Sequence, residues 1–396
     1  MKKLVLFATV LLFCCATIFF YEPVRSQGWK EKVRKSAKKI ENNYVVVLDD
    51  SVIGERGEYS IAGYMAEDMA RTYRGKLKHV YKHAMNGFSV EMSEEDAEKM
   101  AQDYRVLFVE EDGIYTTDAT QTNPPWGLDR IDQRNRPLSA TYTYNWTGSG
   151  VRVYVIDTGI RTAHTQFGGR ASNVFDVNGG DGQDCNGHGT HVAGTVGGST
   201  YGVAKSALLR GVRVFGCGST TSTSNIIAGV NYVTANRILP AVANMSVGGP
   251  ASSSMDTAVN NLINSGVTVA VAAGNSNGAN ACNYSPARVA NAITVGSTTS
   301  TDARSSFSNI GTCLDLFAPG SSILSAWYTS NTATATLSGT SMASPHVAGV
   351  AALYKQANPS ASPSTIRNAI VNNATTGVVT NAGTGSPNRL LYSLFF

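Results

Sequence analysis

Four short stretches of this chain carry residue types that could do chemistry together. Ser341 lies in Ser338-Gly339-Thr340-Ser341-Met342-Ala343-Ser344-Pro345-His346, just ahead of the small-residue apolar run 347–354. That run reads as a buried helix, with Pro345 expected in its first turn, where a missing N–H costs nothing. Ser341 then falls at a helix entry, where free backbone N–H groups and the helix dipole favour negative charge. It could be a nucleophile whose intermediate carries an oxyanion, or simply a capping serine. Asp157 ends the apolar stretch 151–156; on its own it would be a turn cap. His188 lies in Asn186-Gly187-His188-Gly189-Thr190-His191, ahead of the small-residue helix expected over 192–198. Asn275 follows Gly274 at the end of another apolar stretch, and its amide can donate a hydrogen bond. Serine is a weak nucleophile until a base takes its proton. The base needs a carboxylate to hold its tautomer, and the tetrahedral intermediate needs donors aimed at its oxygen. Acyl transfer therefore uses all four residues, in the chain order Asp, His, Ser, one of the convergent orders of such a triad.

The elements that must position them have a consistent pattern. Residues 151–156, 208–215, 241–245, 267–273 and 292–295 are short runs apolar on both faces, and they read as buried strands. Helices are expected over 226–236 and 254–264, and after His188 and Ser341. Apolar strands alternating with helices predict an α/β fold, a doubly wound parallel sheet with helices on both faces. Ligands of such folds bind at the carboxyl ends of the strands, where Asp157 and Asn275 fall.

Export is legible at the start of the chain. Lys2 and Lys3 precede an apolar core from Leu4 to Phe20, and Val24-Arg25-Ser26 offers a cleavage site. Residues 1–26 read as a signal peptide, with an uncleaved membrane anchor as the alternative. Residues 27–43 are basic and polar, a flexible lead-in. Residues 44–115 suggest a small α+β unit: strands at 44–48, 77–81, 87–92 and 106–109, a helix over 61–73, and a second helix starting at Ser93-Glu94-Glu95-Asp96. The order β-α-β-β-α-β is ferredoxin-like. A polar loop over 116–123 puts a boundary near residue 118, giving segments 1–26, 27–118 and 119–396. With a formal charge of only +4 over 396 residues and no arginine-rich stripe, nucleic acid is excluded as a partner. In an exported chain, Cys185, Cys217, Cys282 and Cys313 imply two disulfides, with three pairings open. None of the four is in C-x-x-C spacing, which argues against zinc. His188 and His191 have no glutamate between them, unlike the zinc peptidase motif. Gly339-x-Ser341-x-Ala343 lacks the second glycine of the lipase-type nucleophile elbow.

The segments around Asp157, His188, Asn275 and Ser341 resemble the signatures of the subtilisin-like serine peptidases. Trp126-Gly127-Leu128-Asp129-Arg130-Ile131-Asp132, residues 154–160 and 185–194, and Pro387-Asn388-Arg389-Leu390-Leu391-Tyr392 resemble more narrowly the proteinase K branch, and within it the aqualysin-type bacterial proteases. The resemblance covers 119–396; residues 44–115 resemble, more loosely, the family's inhibitory propeptide. It implies Ser341 as nucleophile, His188 as base then acid, Asp157 as its orienting carboxylate, and Asn275 as the oxyanion amide beside the Ser341 N–H. It implies Ser246, Val247 and Gly248 with Ala272, Ala273 and Gly274 as walls of the primary specificity pocket. Ser219, Thr220 and Thr221 would form the edge on which substrate pairs as an added strand. That edge is Thr/Ser-rich where relatives carry more glycine. The implied disulfides are Cys185–Cys217 and Cys282–Cys313. One or two structural calcium sites are implied as well: Asp315 with the carbonyls of Ala290 and Ala292, and a second of Asp129, Asp132, Gln133, Ser139 and Thr141. Ser139 and Thr141 stand where some relatives have Asp and Asn, which makes the second site the weaker. The implied protein is a secreted, monomeric serine endopeptidase, cutting proteins and peptides after apolar and aromatic residues and held as a zymogen by its own propeptide. The rival readings are a catalytically silent peptide-binding homologue and a membrane-anchored protease.

Overall fold

The computed structural model describes residues 32–36, 39–114 and 119–396. The expected signal at 1–26 and the boundary near 118 lie outside the described residues. Among those described, no helix is long and apolar enough to cross a membrane. The chain forms two units, 1–116 and 117–396.

In the first unit, alternation builds a half-buried sheet. Tyr44, Val46 and Leu48 of the strand Lys39–Leu48 point into a core shared with Phe88, Val90, Val106 and Val109. Val46 stands opposite both Phe88 and Val109. The helix Ala62–Thr72 buries Ala62, Ala66, Met69 and Ala70, one face at helical spacing. The helix Glu94–Met100 is capped by Ser93, whose hydroxyl accepts the Asp96 N–H at 3.1 Å, and it carries three acids in its first turn. The expected strand–helix order is present. The sheet order is Val33–Arg34, Val106–Gly113, Lys39–Leu48, Gly87–Glu91, Lys76–Tyr81. Residues 39–43, expected to be flexible, instead extend the strand. Charge explains this: Lys35 and Lys39 reach the buried Glu111 carboxylate at 3.2 and 3.3 Å.

The second unit is organised on a nine-stranded sheet, in the order Thr375–Thr376, Arg389–Leu390, Leu316–Pro319, Ile293–Thr298, Thr268–Ala272, Ala241–Met245, Arg152–Asp157, Leu208–Arg213, Ala171–Asp176. Every neighbouring pair is parallel except the terminal Thr375–Thr376. Arg152–Asp157 shows why a strand buried on both faces lacks alternation. Val153 and Val155 enter one core with Val192, Val196, Val347 and Val350, while Tyr154 and Ile156 enter another with Val230, Val233, Val259 and Leu262. The helices His188–Gly197 and Thr340–Ala357 cover the first face, Thr223–Asn236 and Ser253–Asn264 the second. Three elements carry no clear signal in the sequence. Ala171–Asp176 is a half-buried edge, Leu316–Pro319 is short and ends in proline, and Ala119–Thr122, expected to be loop, pairs with Thr141–Tyr144.

The helix carrying Ser341 begins at Thr340, so Pro345 lies inside it and not in its first turn. A proline there deprives the Ser341 carbonyl of its intrahelical N–H donor. Ser246 supplies the missing bond, its hydroxyl donating to the Ser341 carbonyl at 2.8 Å. Small residues let this helix lie close to its neighbours. A Cβ on Gly349 would stand 2.5 Å from the Val203 Cβ. Gly349→Ala should therefore overpack the core, at a cost of about 1–3 kcal/mol. Alanine's better helix propensity returns about 1 kcal/mol of it. Urea unfolding tests this, and an unchanged midpoint would mean that the contact relaxes freely.

Candidate active site

Parallel strands end on one edge of the sheet, and the four candidate residues gather there. Asp157 is the last residue of its strand, and Asn275 lies just past Thr268–Ala272. His188 opens the helix His188–Gly197, and Ser341 is the second residue of Thr340–Ala357. His188 Nδ1 sits 2.7 and 2.9 Å from the two carboxylate oxygens of the fully buried Asp157. A ring nitrogen facing a carboxylate carries the proton, so Nε2 is left as the acceptor. Burial alone would push the imidazole's pKa down. The charge and hydrogen bond of Asp157, with the charge of Asp184 behind them, outweigh burial and hold it above 6.5. The glycines beside His188 answer to space. A Cβ on Gly187, whose φ is +108°, would stand 2.5 Å from the Trp327 ring, and one on Gly189 would stand 2.2 Å from the Gly159 carbonyl.

Asp184 is a residue that reading the sequence did not single out. One carboxylate oxygen accepts from the Thr158 hydroxyl at 2.9 Å and from the N–H groups of Asn186 and Gly187 at 2.9 and 2.8 Å. The other accepts from the Thr190 N–H and hydroxyl at 2.9 and 2.5 Å. Asp184 thus ties the turn after Asp157 to the first turn of the helix that carries His188. The available signal was an acid four residues ahead of a helix start, where unpaired N–H groups need acceptors.

Ser341 is held from two sides. The Ser344 hydroxyl donates to Asn244 Oδ1 at 2.7 Å, and Asn244 Nδ2 donates to the Ser246 hydroxyl at 2.9 Å. Ser246 in turn donates to the Ser341 carbonyl, completing a buried relay. On the other side, the N–H and the hydroxyl of Thr340 both donate to Asn275 Oδ1 at 2.9 Å. This fixes the Asn275 amide and leaves its NH₂ group to donate elsewhere. Asn275 Nδ2 and Ser341 N flank one point: a Cβ on Gly339 would stand 3.6 Å from each. The Ser341 hydroxyl donates to the Ser246 carbonyl at 3.3 Å, and among the described residues no hydrogen bond joins it to His188. Hydrogen bonds of this kind are often long or absent before substrate binds.

Beside Ser341 lies a cavity of about 220 Å³, lined by 246–250, 272–276, Tyr284, Ala287 and Thr340, with no charged side chain. It contains all six of the expected pocket residues Ser246, Val247, Gly248, Ala272, Ala273 and Gly274. A neighbouring groove of about 400 Å³ runs past His188 and is lined by Ser219, Thr220, Thr221, Ile226 and Met255. Two histidines near the site are structural. His191 and His346 are buried, and desolvation pushes both down to about 4. His191 Nε2 faces the carbonyls of Ile323 and Ala335, and His346 Nδ1 faces the Met342 carbonyl.

The cysteines pair as Cys185–Cys217 and Cys282–Cys313, with S–S distances of 2.03 and 2.11 Å. The expected calcium donors fall into two unlike settings. Among the described residues, no group of three or more His, Cys, Asp or Glu is arranged to share a metal. In the first setting, Asp129 accepts from the N–H groups of Ser139 and Ala140, and Ser139 N also donates to Gln133 Oε1. Ser139 and Thr141 share a hydroxyl–hydroxyl bond of 2.7 Å. Asp132 accepts the Thr143 N–H on one oxygen, while its other oxygen is buried with no partner. Burial pushes the Asp132 carboxyl up to about 6, with the Asp129 charge adding to it against the Thr143 bond. An orphaned carboxylate oxygen beside a second carboxylate fits an oxygen-seeking cation. In the second setting, Asp315 accepts the Thr294 N–H at 2.9 Å and a guanidinium N–H of Arg367 at 2.5 Å. The Ala292 carbonyl also accepts from Arg367 Nε, at 3.3 Å.

A parallel α/β sheet with Asp, His and Ser gathered at its carboxyl edge defines a serine-hydrolase class of protein. Comparison with known proteins agrees with this. Residues 148–390 match the model of the subtilase family, and residues 43–118 match that of the peptidase inhibitor I9 family. An extracellular serine proteinase of Thermus sp. (strain Rt41A) is 57% identical over 322 residues, covering 81% of this chain and 78% of that protein. Alkaline serine exoprotease A of Vibrio alginolyticus is 56% identical over 82% of this chain, which spans 62% of that protein's length. The crystal structure of a cold-adapted subtilisin-like serine proteinase is 55% identical and aligns with a TM-score of 0.67, covering 69% of this chain and all of that one. The chain belongs to the subtilase family: it is a serine protease preceded by an I9 unit.

Two expectations follow from the geometry. The acid limb of kcat/KM should have its midpoint above 6.5, because His188 must be neutral to accept a proton and Asp157 holds its pKa up. The same pair stabilises the fold while His188 is protonated. That contribution is complete below the unfolded value near 6.5 and fades as pH rises through the folded value. A limb no higher than that of an ordinary imidazole would contradict the upward shift. Thr340→Val should loosen the Asn275 amide, lowering kcat by about tenfold, the worth of a hydrogen bond of roughly 1–1.5 kcal/mol, with little change in KM. Thr340→Ser should keep the bond, and an unaffected kcat in Thr340→Val would show that the clamp is idle.

Proposed function

We propose that the chain is a secreted serine endopeptidase in which Asp157, His188 and Ser341 act as a catalytic triad. The observation that carries this reading is the His188–Asp157 pair: both carboxylate oxygens lie within 2.9 Å of Nδ1, next to a serine at a helix entry. His188 Nε2 takes the Ser341 proton as Oγ bonds to the scissile carbonyl carbon. The carbonyl oxygen gains the charge, and the Asn275 amide and the Ser341 N–H donate to it. His188 then gives its proton to the leaving amine, and the acyl-enzyme remains. A water, deprotonated by the same nitrogen, releases the acid and returns the proton to Ser341. Asp157 orients the imidazole and stabilises the imidazolium.

The uncharged cavity walls at 246–248 and 272–274 support cleavage after apolar and aromatic residues, since a basic side chain would need a buried acid. Ser219, Thr220 and Thr221 would pair with the substrate backbone. Residues 27–118 act as an inhibitory propeptide, removed by the same site near residue 118. Structural calcium is part of the reading. Asp129, Asp132 and Gln133, with Ser139 and Thr141, would hold an ion, which when bound neutralises two neighbouring carboxylates and closes the loop they share.

Ser341→Ala, expressed without other proteases, should be inactive, refuse a fluorophosphonate label and remain uncut near residue 118. Normal maturation of that variant would refute self-processing. Digestion of a peptide library by the unaltered protein should yield cuts mainly after apolar and aromatic residues. Cuts mainly after Lys or Arg would remove the pocket assignment.

A further inference from the structure

The Asp315 site already holds a cation of the chain's own. We propose that the Arg367 guanidinium occupies the position that a calcium ion would take between Asp315 and Ala292, so that this brace needs no ion. This rests on the calcium reading above, whose donors at Asp315 it reassigns. Arg367 lies on the helix Pro363–Asn373, whose inner face is fixed by the buried Ile366, Ile370 and Val371. That helix is anchored at its start, where the Ser362 hydroxyl accepts the Thr365 N–H at 3.1 Å. From there the guanidinium reaches two of the expected calcium donors at once: the Asp315 carboxylate at 2.5 Å and the Ala292 carbonyl at 3.3 Å.

The remaining Asp315 oxygen is taken by the Thr294 N–H. Calcium needs six to eight oxygens at about 2.3–2.6 Å. An ion placed between the same two oxygens would meet the guanidinium nitrogens at contact distance, where like charges repel. A guanidinium is always charged and presents a planar fork of donors, which makes it the suited organic replacement for an ion here. The Asp129 and Asp132 cluster is built differently. The arginine between them in sequence, Arg130, is committed elsewhere: it pairs with Asp302 at 2.7 Å and donates to the carbonyls of Gln133 and Arg134. Asp129 and Asp132 have no salt bridge among the described residues, and one Asp132 oxygen has no partner. The calcium response should therefore come from that cluster, the reverse of the order expected from ligand types alone.

The test uses the full chain with Ser341→Ala, so that autolysis cannot confuse it, and calcium chloride as the probe. Calorimetric titration gives stoichiometry, and melting temperature is read with calcium and with chelator. In the parent, Asp132→Asn should abolish the calcium-dependent rise in melting temperature, while Asp315→Asn should leave that rise in place. Arg367→Ala should melt lower in chelator, because it leaves Asp315 buried and unpaired, and should gain one bound calcium that restores it. If Asp315→Asn removes a bound calcium from the parent, or if Arg367→Ala binds no more calcium than the parent, the guanidinium is not the site's cation. A parent that binds no calcium would sink the calcium reading of the Asp129 and Asp132 cluster, and the Arg367→Ala titration would still decide this proposal.

Discussion

Everything in the second unit depends on its strands running the same way. A parallel sheet directs its backbone bonds evenly and buries both faces, so its strand bodies have room only for apolar side chains. Polar function is pushed to the ends. The carboxyl ends of Arg152–Asp157 and Thr268–Ala272 lie on one edge, with Ala241–Met245 between them. Asp157, Ser246 and Asn275 follow from those three neighbouring strands. The two helices of the first face complete the group, because each begins at that edge, where side chains of the neighbouring turns accept its first N–H groups: Asn186, Thr158 and Asp184 at one helix, Asn275 at the other.

What holds the group is a set of buried polar bonds and little else. Asp184, Asn244, Ser246 and Ser344 are all buried, and each finds partners. A buried polar group left without a partner costs about 1–3 kcal/mol, so each such bond is enforced by the loss its absence would bring. This suits a reaction in which charge develops on one oxygen and one imidazole. Donors and acceptors already in place need not reorganise as that charge appears. The Pro345 position belongs to the same logic. A proline in the helix frees a carbonyl, and Ser246 couples the turn of Ser341 to the neighbouring strand by satisfying it.

Stabilisation away from the site uses charge in three settings. Arg130 and Asp302 form a buried pair in which both guanidinium contacts and two carbonyls are satisfied. Asp315 and Arg367 repeat that solution with a backbone carbonyl in the set. Asp129 and Asp132 have no salt bridge among the described residues, and they accept from backbone N–H groups. The two disulfides brace loops that also carry buried carboxylates. Cys185 adjoins Asp184, and Cys313 lies two residues before Asp315, so covalent and ionic braces share the same loops.

Much of this was legible in the residues themselves. The doubled apolar faces of 241–245 and 267–273 announced a parallel sheet, because only burial on both sides removes alternation. Asp157, His188, Asn275 and Ser341 stood out because acyl transfer needs their four side-chain types near element ends. That 246–248 and 272–274 would line one cavity came from the family resemblance, and their side chains are uncharged. Other features depended on long-range contacts. Ala171–Asp176 and Ala119–Thr122 are strands because a partner edge lies beside them, not because their own residues demand it. The helix start at Thr340 depended on Ser246, 95 residues away, relieving the carbonyl that Pro345 leaves free. Asp184 does not stand out in the sequence, and it matters because the turn after Asp157 folds within hydrogen-bond reach of it. The same holds for Arg367: the family resemblance implied Asp315 as a metal ligand, and only packing of the helix Pro363–Asn373 brought a guanidinium to that carboxylate. Local pattern determines which faces are buried and which side chains have the right chemistry. Which distant groups satisfy a buried charge is decided by the fold, since the cost of leaving it unpaired is felt only once water is gone.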